Sequence, residues 1–300
     1  MEVSELTLQG LWRGPLSGLM ATAGDEDWAS LLSEIAWQVR QMLGREPLSA
    51  HAADVSLLLV GSAALGVVDE VSDVDLQLVC REQLVEELKR SHRELGIVGA
   101  EEDLFVELKL RGGRGGHYTL RTVESLAEEL AGGEDSALWL AATACALHDP
   151  IEVAGLLSQH YPLREEAWLQ RCRSTYVAFR QASRVMDNAA ERGDGWALLW
   201  ATTEALRQAH RCALAVDGVP APYDKWLHAV ATRFPTGAAV AQAADACLRW
   251  LPNGSAPQPL PHKEHPLVRA LEEVRRVLIA ALHGRGIRAP WITHWWRHMG

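Results

Sequence analysis

The sequence predicts an amino-terminal α/β domain with a short mixed sheet, followed by an all-helical carboxy-terminal domain. Strand and helix patterns alternate in the first part of the chain, as they do in mixed α/β domains. After about residue 120 the strand signal fades and helical periodicity dominates. A chain of 300 residues also suits two domains of ordinary size. We therefore expect domains at 1–149 and 150–300, with the boundary near Asp149-Pro150.

The elements of the first domain are predicted from apolar spacing. An amphipathic helix is expected over 28–43, where apolar residues recur three to four positions apart. A charged amphipathic helix is expected over 82–95, and the glycine-rich run 111–116 is expected to break regular structure. Short apolar or alternating runs predict three strands, at 55–60, 74–79 and 104–110.

Helical patterns account for most of the chain beyond residue 120. The connection 253–266, rich in proline and polar residues, is expected to be exposed. The predicted helices, the last two from weaker patterns, are 122–131, 136–147, 163–191, 195–216, 223–233, 236–250 and 266–283.

Composition limits the class of partner. A net charge of -10 argues against a broad basic surface for nucleic acid, but it does not exclude a nucleotide and it suits a cationic substrate. Five scattered cysteines without a CxxC pair indicate buried free thiols. The amino terminus has no signal-peptide pattern, and no apolar run is long enough to span a bilayer. We expect a cytoplasmic protein with no membrane partner.

One group of residues has the pattern of a functional site. A predicted strand ends at Gly61-Ser62, and ten residues later Asp73 and Asp75 begin the next strand on one face. Backbone N–H groups and a hydroxyl at such a turn can hold phosphate oxygens, and glycine permits a close approach. Two neighbouring carboxylates suit Mg²⁺, which binds through one or two carboxylates plus substrate phosphates. A solvated strand face is the alternative, but the spacing and the flanking apolar strands favour a site.

These residues resemble the nucleotidyltransferase superfamily that includes DNA polymerase β and the antibiotic adenylyltransferases. The resemblance covers about residues 50–112 and implies that Gly61 and Ser62 bind nucleotide while Asp73 and Asp75 bind metal. It also implies a third acid on a following strand. Glu107 matches as catalytic base or metal ligand, and Asp103, at the mouth of that strand, is the alternative.

A second resemblance lies in the helical part, where small-molecule nucleotidyltransferases often carry a Lys-Trp pair. It implies that Lys225 reaches the triphosphate across an interdomain cleft, although a surface lysine beside a core tryptophan is nearly as good an interpretation.

The remaining candidate residues in the first domain are weaker. Arg111, Arg114 and His117 are expected either to close over a substrate or to form a hairpin tip.

Other polar residues are expected to be structural. Glu204 should form an intrahelical ion pair with a following arginine. His262 and His265 are expected to be exposed, and His294 and His298 to be packing and surface residues.

The expected function is therefore Mg²⁺-dependent transfer of a nucleoside monophosphate, from ATP most simply, to a hydroxyl of a small molecule. The size and helical second domain resemble aminoglycoside and lincosamide nucleotidyltransferases, for which the second domain binds substrate. Two alternatives stay open: a regulatory or antitoxin-type enzyme that modifies a protein or RNA, and a nucleotide-binding module without catalysis. The acceptor, the resistance or biosynthetic role, and the oligomeric state are not decided by the sequence.

Overall fold

The computed structural model confirms an α/β part followed by a helical part. It describes residues 11–21, 26–67, 73–97, 104–109, 114–250 and 264–299. The chain divides into two compact units, unit 1 at Met1–Pro162 and unit 2 at Leu163–Gly300.

Unit 1 is built on a six-stranded mixed sheet in the order β1-β6-β2-β3-β5-β4. Every neighbouring pair is antiparallel except β3 and β5, which run parallel. The strands are β1 (Trp12–Arg13), β2 (Val55–Val60), β3 (Val74–Cys80), β4 (Phe105–Lys109), β5 (Gly115–Thr122) and β6 (Cys145–His148).

The described part of unit 1 also contains six α-helices: α1 (Glu26–Leu43), α2 (Gly61–Leu65), α3 (Val85–Glu94), α4 (Val123–Gly132), α5 (Asp135–Thr143) and α6 (Val153–His160). Side chains of α1 and α3 share one apolar core with alternate residues of β3, such as Val74, Leu76 and Leu78. Because successive strand residues point to opposite faces, Asp73 and Asp75 lie on the face away from this core.

Unit 2 consists of helices around a second core. They are α7 (Glu165–Arg192), α8 (Gly195–Val216), α9 (Asp224–Ala231), α10 (Pro235–Trp250), α11 (Pro266–Gly284) and α12 (Pro290–Thr293). The predicted helices of this region agree with these bounds to within a few residues. Among the described residues, no helix combines the length and apolarity needed to cross a bilayer.

Asp149, at the expected domain boundary, lies in unit 1 and is bonded to the sheet. Its carboxylate accepts a hydrogen bond of 2.6 Å from the Ser56 hydroxyl on β2. It also accepts the backbone N–H groups of Val153 and Ala154, at 2.8 and 2.9 Å, which would otherwise be unsatisfied at the start of α6. This carboxylate therefore ties α6 to the sheet.

Two segments that were not predicted to be strands, 145–148 and 115–116, belong to strands of the sheet. The predicted helix 136–147 ends at Thr143, and Cys145–His148 forms β6, because a continuous apolar run does not distinguish a buried strand from a helix by periodicity. The glycine run was expected to break regular structure, yet Gly115 and Gly116 begin β5. A Cβ on Gly116 would lie 2.7 Å from the Val74 carbonyl oxygen, so glycine here permits the close pairing of β5 with β3.

The carbonyl end of the short helix α2 is held by a preceding segment. Gly18 and Met20 donate their backbone N–H groups to the carbonyls of Ala64 and Leu65, each at 2.8 Å. The indole of Trp28 donates to the Ala63 carbonyl at 2.9 Å. The bonds from Gly18 and Met20 satisfy carbonyls near the end of this five-residue helix, and the indole adds a second donor to the Ala63 carbonyl, which also accepts the Gly66 N–H.

The turn into α2 depends on Gly61. Its φ is +67°, a left-handed conformation that side chains with a Cβ rarely adopt. A Cβ on Gly61 would also lie 2.0 Å from Oδ2 of Asp75. Both the backbone conformation and the packing therefore require glycine.

Strand β5 is fastened to α3 by a buried pair, His92 and Tyr118. His92 donates Nδ1–H to the Leu88 carbonyl at 2.7 Å, so in the neutral ring Nε2 accepts the Tyr118 hydroxyl at 2.6 Å. Burial lowers the pKa of His92 and raises the pKa of Tyr118, so both groups favour the uncharged form.

We expect Gly61→Ala to destabilise unit 1 more than Gly96→Ala does. Gly96 has a φ of +66° but no atoms within 4 Å of an added Cβ, so it is a control for backbone strain alone. The control should lower the free energy of unfolding by about 1–2 kcal/mol. Gly61→Ala should add about 1–3 kcal/mol through the contact with Asp75. Urea unfolding measures both, and equal losses would contradict the contact.

His92 should make folding stability sensitive to pH. Its folded-state pKa lies below the ordinary 6.5, so its contribution is fully present above pH 6.5 and is lost as the pH falls below that value. We expect His92→Gln to flatten the dependence of unfolding free energy on pH between about 7 and 5, by at most about 1.4 kcal/mol per pH unit. Urea unfolding across that range measures the slope, and an unchanged slope would refute the expectation.

Candidate functional site

The sheet register places three polar residues in one row across neighbouring strands. Asp75 on β3 pairs with His117 on β5, and His117 pairs in turn with Glu107 on β4. Directly paired residues project their side chains to the same face of a sheet. The row therefore lies on the face that carries Asp73 and Asp75, opposite the apolar core.

His117 lies between the two aspartates. Its Nδ1 is 3.6 Å from Oδ2 of Asp73, and its Nε2 is 3.5 Å from Oδ1 of Asp75. One ligand atom from each of these three residues lies within 4.8 Å of the other two. The Asp73 side chain is 59% exposed, whereas Asp75 and His117 are 24% and 23% exposed. The cluster is thus open to solvent on the Asp73 side.

Asp75 and His117, the two less exposed residues of this cluster, are each oriented by a neighbouring residue. One carboxylate oxygen of Asp75 lies against the Cα of Gly61, as the 2.0 Å approach to a hypothetical Cβ indicates. The other oxygen faces His117. The imidazole of His117 stacks on Phe105, with ring centroids 4.5 Å apart and planes inclined by 23°. Asp75 and His117 are therefore each in contact with a residue whose side chain carries no charge.

The donor set fits a divalent cation. Two carboxylates and an imidazole are all common metal ligands. Ligand atoms about 2.1 Å from a shared ion lie about 3.0–3.4 Å from each other. The separations of 3.5 and 3.6 Å around His117 come within a few tenths of an ångström of that range. Only one ring nitrogen can bind a given ion, so one of these two contacts would tighten.

The predicted residues of unit 1 differ in how they relate to this cluster. Asp73 and Asp75 converge, and Gly61 touches Asp75. Ser62 is only 5% exposed. Glu107 is exposed and lies one strand beyond His117, outside the group whose ligand atoms converge. Asp103 lies outside the described residues.

Sequence reasoning did not identify His117 as a candidate ligand. It placed this residue in a glycine loop together with Arg111, which lies outside the described residues, and Arg114, which immediately precedes β5. The missed signal was that the segment after the glycines alternates as a strand. Its parallel pairing with β3 could not be found from local pattern.

Lys225 belongs to unit 2 and stays a predicted nucleotide ligand. It is exposed near the start of α9, and its ammonium nitrogen lies 5.9 Å from the centroid of the Trp226 ring. This distance is within the range of a cation–π contact. Its side chain therefore has a defined neighbour and an accessible charge.

Glu204 forms the predicted intrahelical ion pair. It accepts two hydrogen bonds from Arg207, at 2.8 and 2.9 Å, and one from Gln208 at 2.8 Å. The hydrogen bonds from Arg207 lower the pKa of Glu204, which disfavours a role as proton acceptor. Asp224 extends the network to Arg211 at 3.1 Å.

His265 and the five cysteines are buried, and His294 contacts a tryptophan. His265 was predicted to be exposed, and this was wrong: it is 1% exposed and caps α11 by accepting the Leu267 N–H at 3.2 Å. Burial lowers its pKa. His262 lies outside the described residues. His294 packs on Trp296, and all five cysteines are buried free thiols, as predicted.

Comparison with known proteins gives a limited result. No family model and no curated protein matches the chain. Among solved structures, the chain is similar to a nucleotidyltransferase-like protein from Exiguobacterium sibiricum 255-15. The similarity covers 83% of this chain and 78% of that one, with 13% sequence identity and a TM-score of 0.47. A likeness of this size carries no functional conclusion, so the case for an activity rests on the side chains of unit 1.

Proposed function

We propose that the protein transfers a nucleoside monophosphate from a nucleoside triphosphate to a hydroxyl group of a small molecule, with release of pyrophosphate. The observation that carries this proposal is the convergence of Asp73 and Asp75 beside the Gly61 turn, with a third ligand on the adjacent strand. The spacing of these residues along the chain is the one that resembles nucleotidyltransferases.

Asp73 and Asp75 would hold the divalent cation together with His117. A divalent cation at this position neutralises phosphate charge during phosphoryl transfer. The exposed side of Asp73 is open to a triphosphate, whereas Asp75 is fixed against Gly61. Gly61 and Ser62 are proposed to contact the nucleotide, Gly61 through its backbone and Ser62 through the small exposed part of its surface.

Glu107 is proposed as the general base. Two strand spacings separate it from Asp75, about 10 Å between backbones, so it is better placed beside the acceptor than on the same cation. The acceptor oxygen would attack the α-phosphorus in line and pass its proton to Glu107. The bond between the α-phosphorus and its bridging oxygen breaks, and that oxygen leaves as part of pyrophosphate.

The contact of Lys225 with the nucleotide and the type of acceptor are proposed from the charges of the protein. Lys225 would offset triphosphate charge as a compact cation. ATP is the simplest donor to test first. The net charge of -10 suits a cationic, hydroxyl-bearing acceptor of the natural-product or antibiotic type.

Replacing Asp75 should abolish transfer while the fold is retained. We expect Asp75→Asn to lower the rate of pyrophosphate release by at least about a hundredfold, because the amide lacks the charge that a hard cation requires. The assay follows pyrophosphate from each of the four nucleoside triphosphates against a panel of aminoglycosides, lincosamides and sugars. The matched control is Asp54→Asn, an exposed aspartate just before β2. Full turnover by Asp75→Asn would refute the proposed ligand.

Lys225 is tested separately from the metal ligands. We expect Lys225→Ala to raise the KM for the triphosphate about tenfold, equivalent to about 1.4 kcal/mol, with little effect on the KM for the acceptor. The control is Arg233→Ala, which removes an exposed cation just beyond α9. Equal effects of the two variants would show that only general charge is involved.

A further inference from the structure

We propose that the imidazole of His117 is a direct metal ligand and makes this centre select ions that favour nitrogen ligands, such as Zn²⁺, over Mg²⁺. The inference rests on the proposed function only in that both place a divalent cation at Asp73 and Asp75. It replaces the carboxylate-only site that the sequence predicted with a mixed nitrogen and oxygen site. It also changes which ion the protein uses.

The backbone register places His117 in the cluster. Seven consecutive residue pairs join β3 to β5 in parallel, and Asp75 opposite His117 is one of them. The register of the sheet therefore determines that the His117 side chain projects from the same face as Asp75. Stacking on Phe105 further restricts the ring.

Each ring nitrogen of His117 faces a different carboxylate. Nε2 is 3.5 Å from Oδ1 of Asp75, and Nδ1 is 3.6 Å from Oδ2 of Asp73. Either nitrogen can therefore share an ion with one of the two aspartates.

The donor atoms favour a transition-metal ion. Imidazole nitrogen suits zinc and other first-row transition metals, whereas Mg²⁺ prefers oxygen ligands and retains several waters. If Nε2 binds the ion with Asp75, Nδ1–H faces the Asp73 carboxylate, the arrangement that commonly orients a metal-bound histidine. If Nδ1 binds, Asp73 and Nδ1 share the ion. Both arrangements put one histidine nitrogen on the metal.

The test measures nitrogen ligation directly. Mn²⁺ is bound to the full chain, and electron spin-echo envelope modulation records coupling to a directly bound ¹⁴N nucleus. Each sample is prepared alone and with inorganic tripolyphosphate, which can complete the coordination shell and contains no nitrogen. Calorimetry gives the Kd values for Zn²⁺ and Mg²⁺ in the same samples.

Three variants make the test specific. His117→Asn removes the imidazole, and His117→Asp replaces it with a third carboxylate, which should retain a cation without a nitrogen ligand. The control is His160→Asn, which removes another partly buried histidine of unit 1, at the end of α6. Circular dichroism and urea unfolding confirm that each variant is folded.

We expect ¹⁴N coupling in the unmodified protein and in His160→Asn, and none in either His117 variant. His117→Asn should weaken Zn²⁺ binding at least about tenfold and Mg²⁺ binding less than about threefold. His117→Asp should shift the preference toward Mg²⁺. Mn²⁺ binding without ¹⁴N coupling, or equal losses of Zn²⁺ and Mg²⁺ affinity, would overturn the inference.

The proposed function has a separate readout. If Mn²⁺ binds without nitrogen coupling while Asp75→Asn still abolishes transfer, the histidine ligand is wrong and the transferase proposal stands. If the unmodified protein binds no cation even with tripolyphosphate, His117 is only a charge partner of the aspartates, and both proposals fail.

Discussion

The parallel pairing of β3 with β5 is the constraint on which the candidate site depends. It places Asp75 directly beside His117, although the two residues are far apart along the chain. Backbone hydrogen bonds along this ladder fix its register, so a slip of either strand by one position would move the polar side chains of that strand to the apolar face. The same ladder that carries Leu76 and Leu78 into the core therefore carries Asp75 and His117 away from it.

Other local interactions also stabilise the pairing of β3 with β5. Gly116 permits the close approach of β5 to the Val74 carbonyl at the open end of the ladder. The neutral pair of His92 and Tyr118 fastens β5 to α3 from the opposite face, where neither group can be charged without a desolvation cost. Neighbouring residues of β5, His117 and Tyr118, thus lie on the face of the candidate site and on the buried face.

The turn between β2 and α2 contributes a second fixed point. Gly61 leaves just enough room for one oxygen of Asp75, which directs the other oxygen toward His117. Segment 11–21 and Trp28 satisfy the carbonyls of α2 and so hold this turn in place. The chemistry of the site consequently relies on residues that carry no functional group themselves.

The sequence by itself determined the fold class and most helix bounds, and it singled out Gly61, Asp73 and Asp75, which the structure brings together. These features are local: apolar spacing, a turn residue and the two-residue period of a strand are all written within a short stretch of chain. Tertiary structure decided that the third converging residue is His117 and that Glu107 lies one strand farther away. It also decided that β6 is a strand and that Asp149 ties α6 to the sheet. The physical reason is that the neighbour of a strand is chosen by hydrogen bonds and packing between distant segments, which no local pattern encodes.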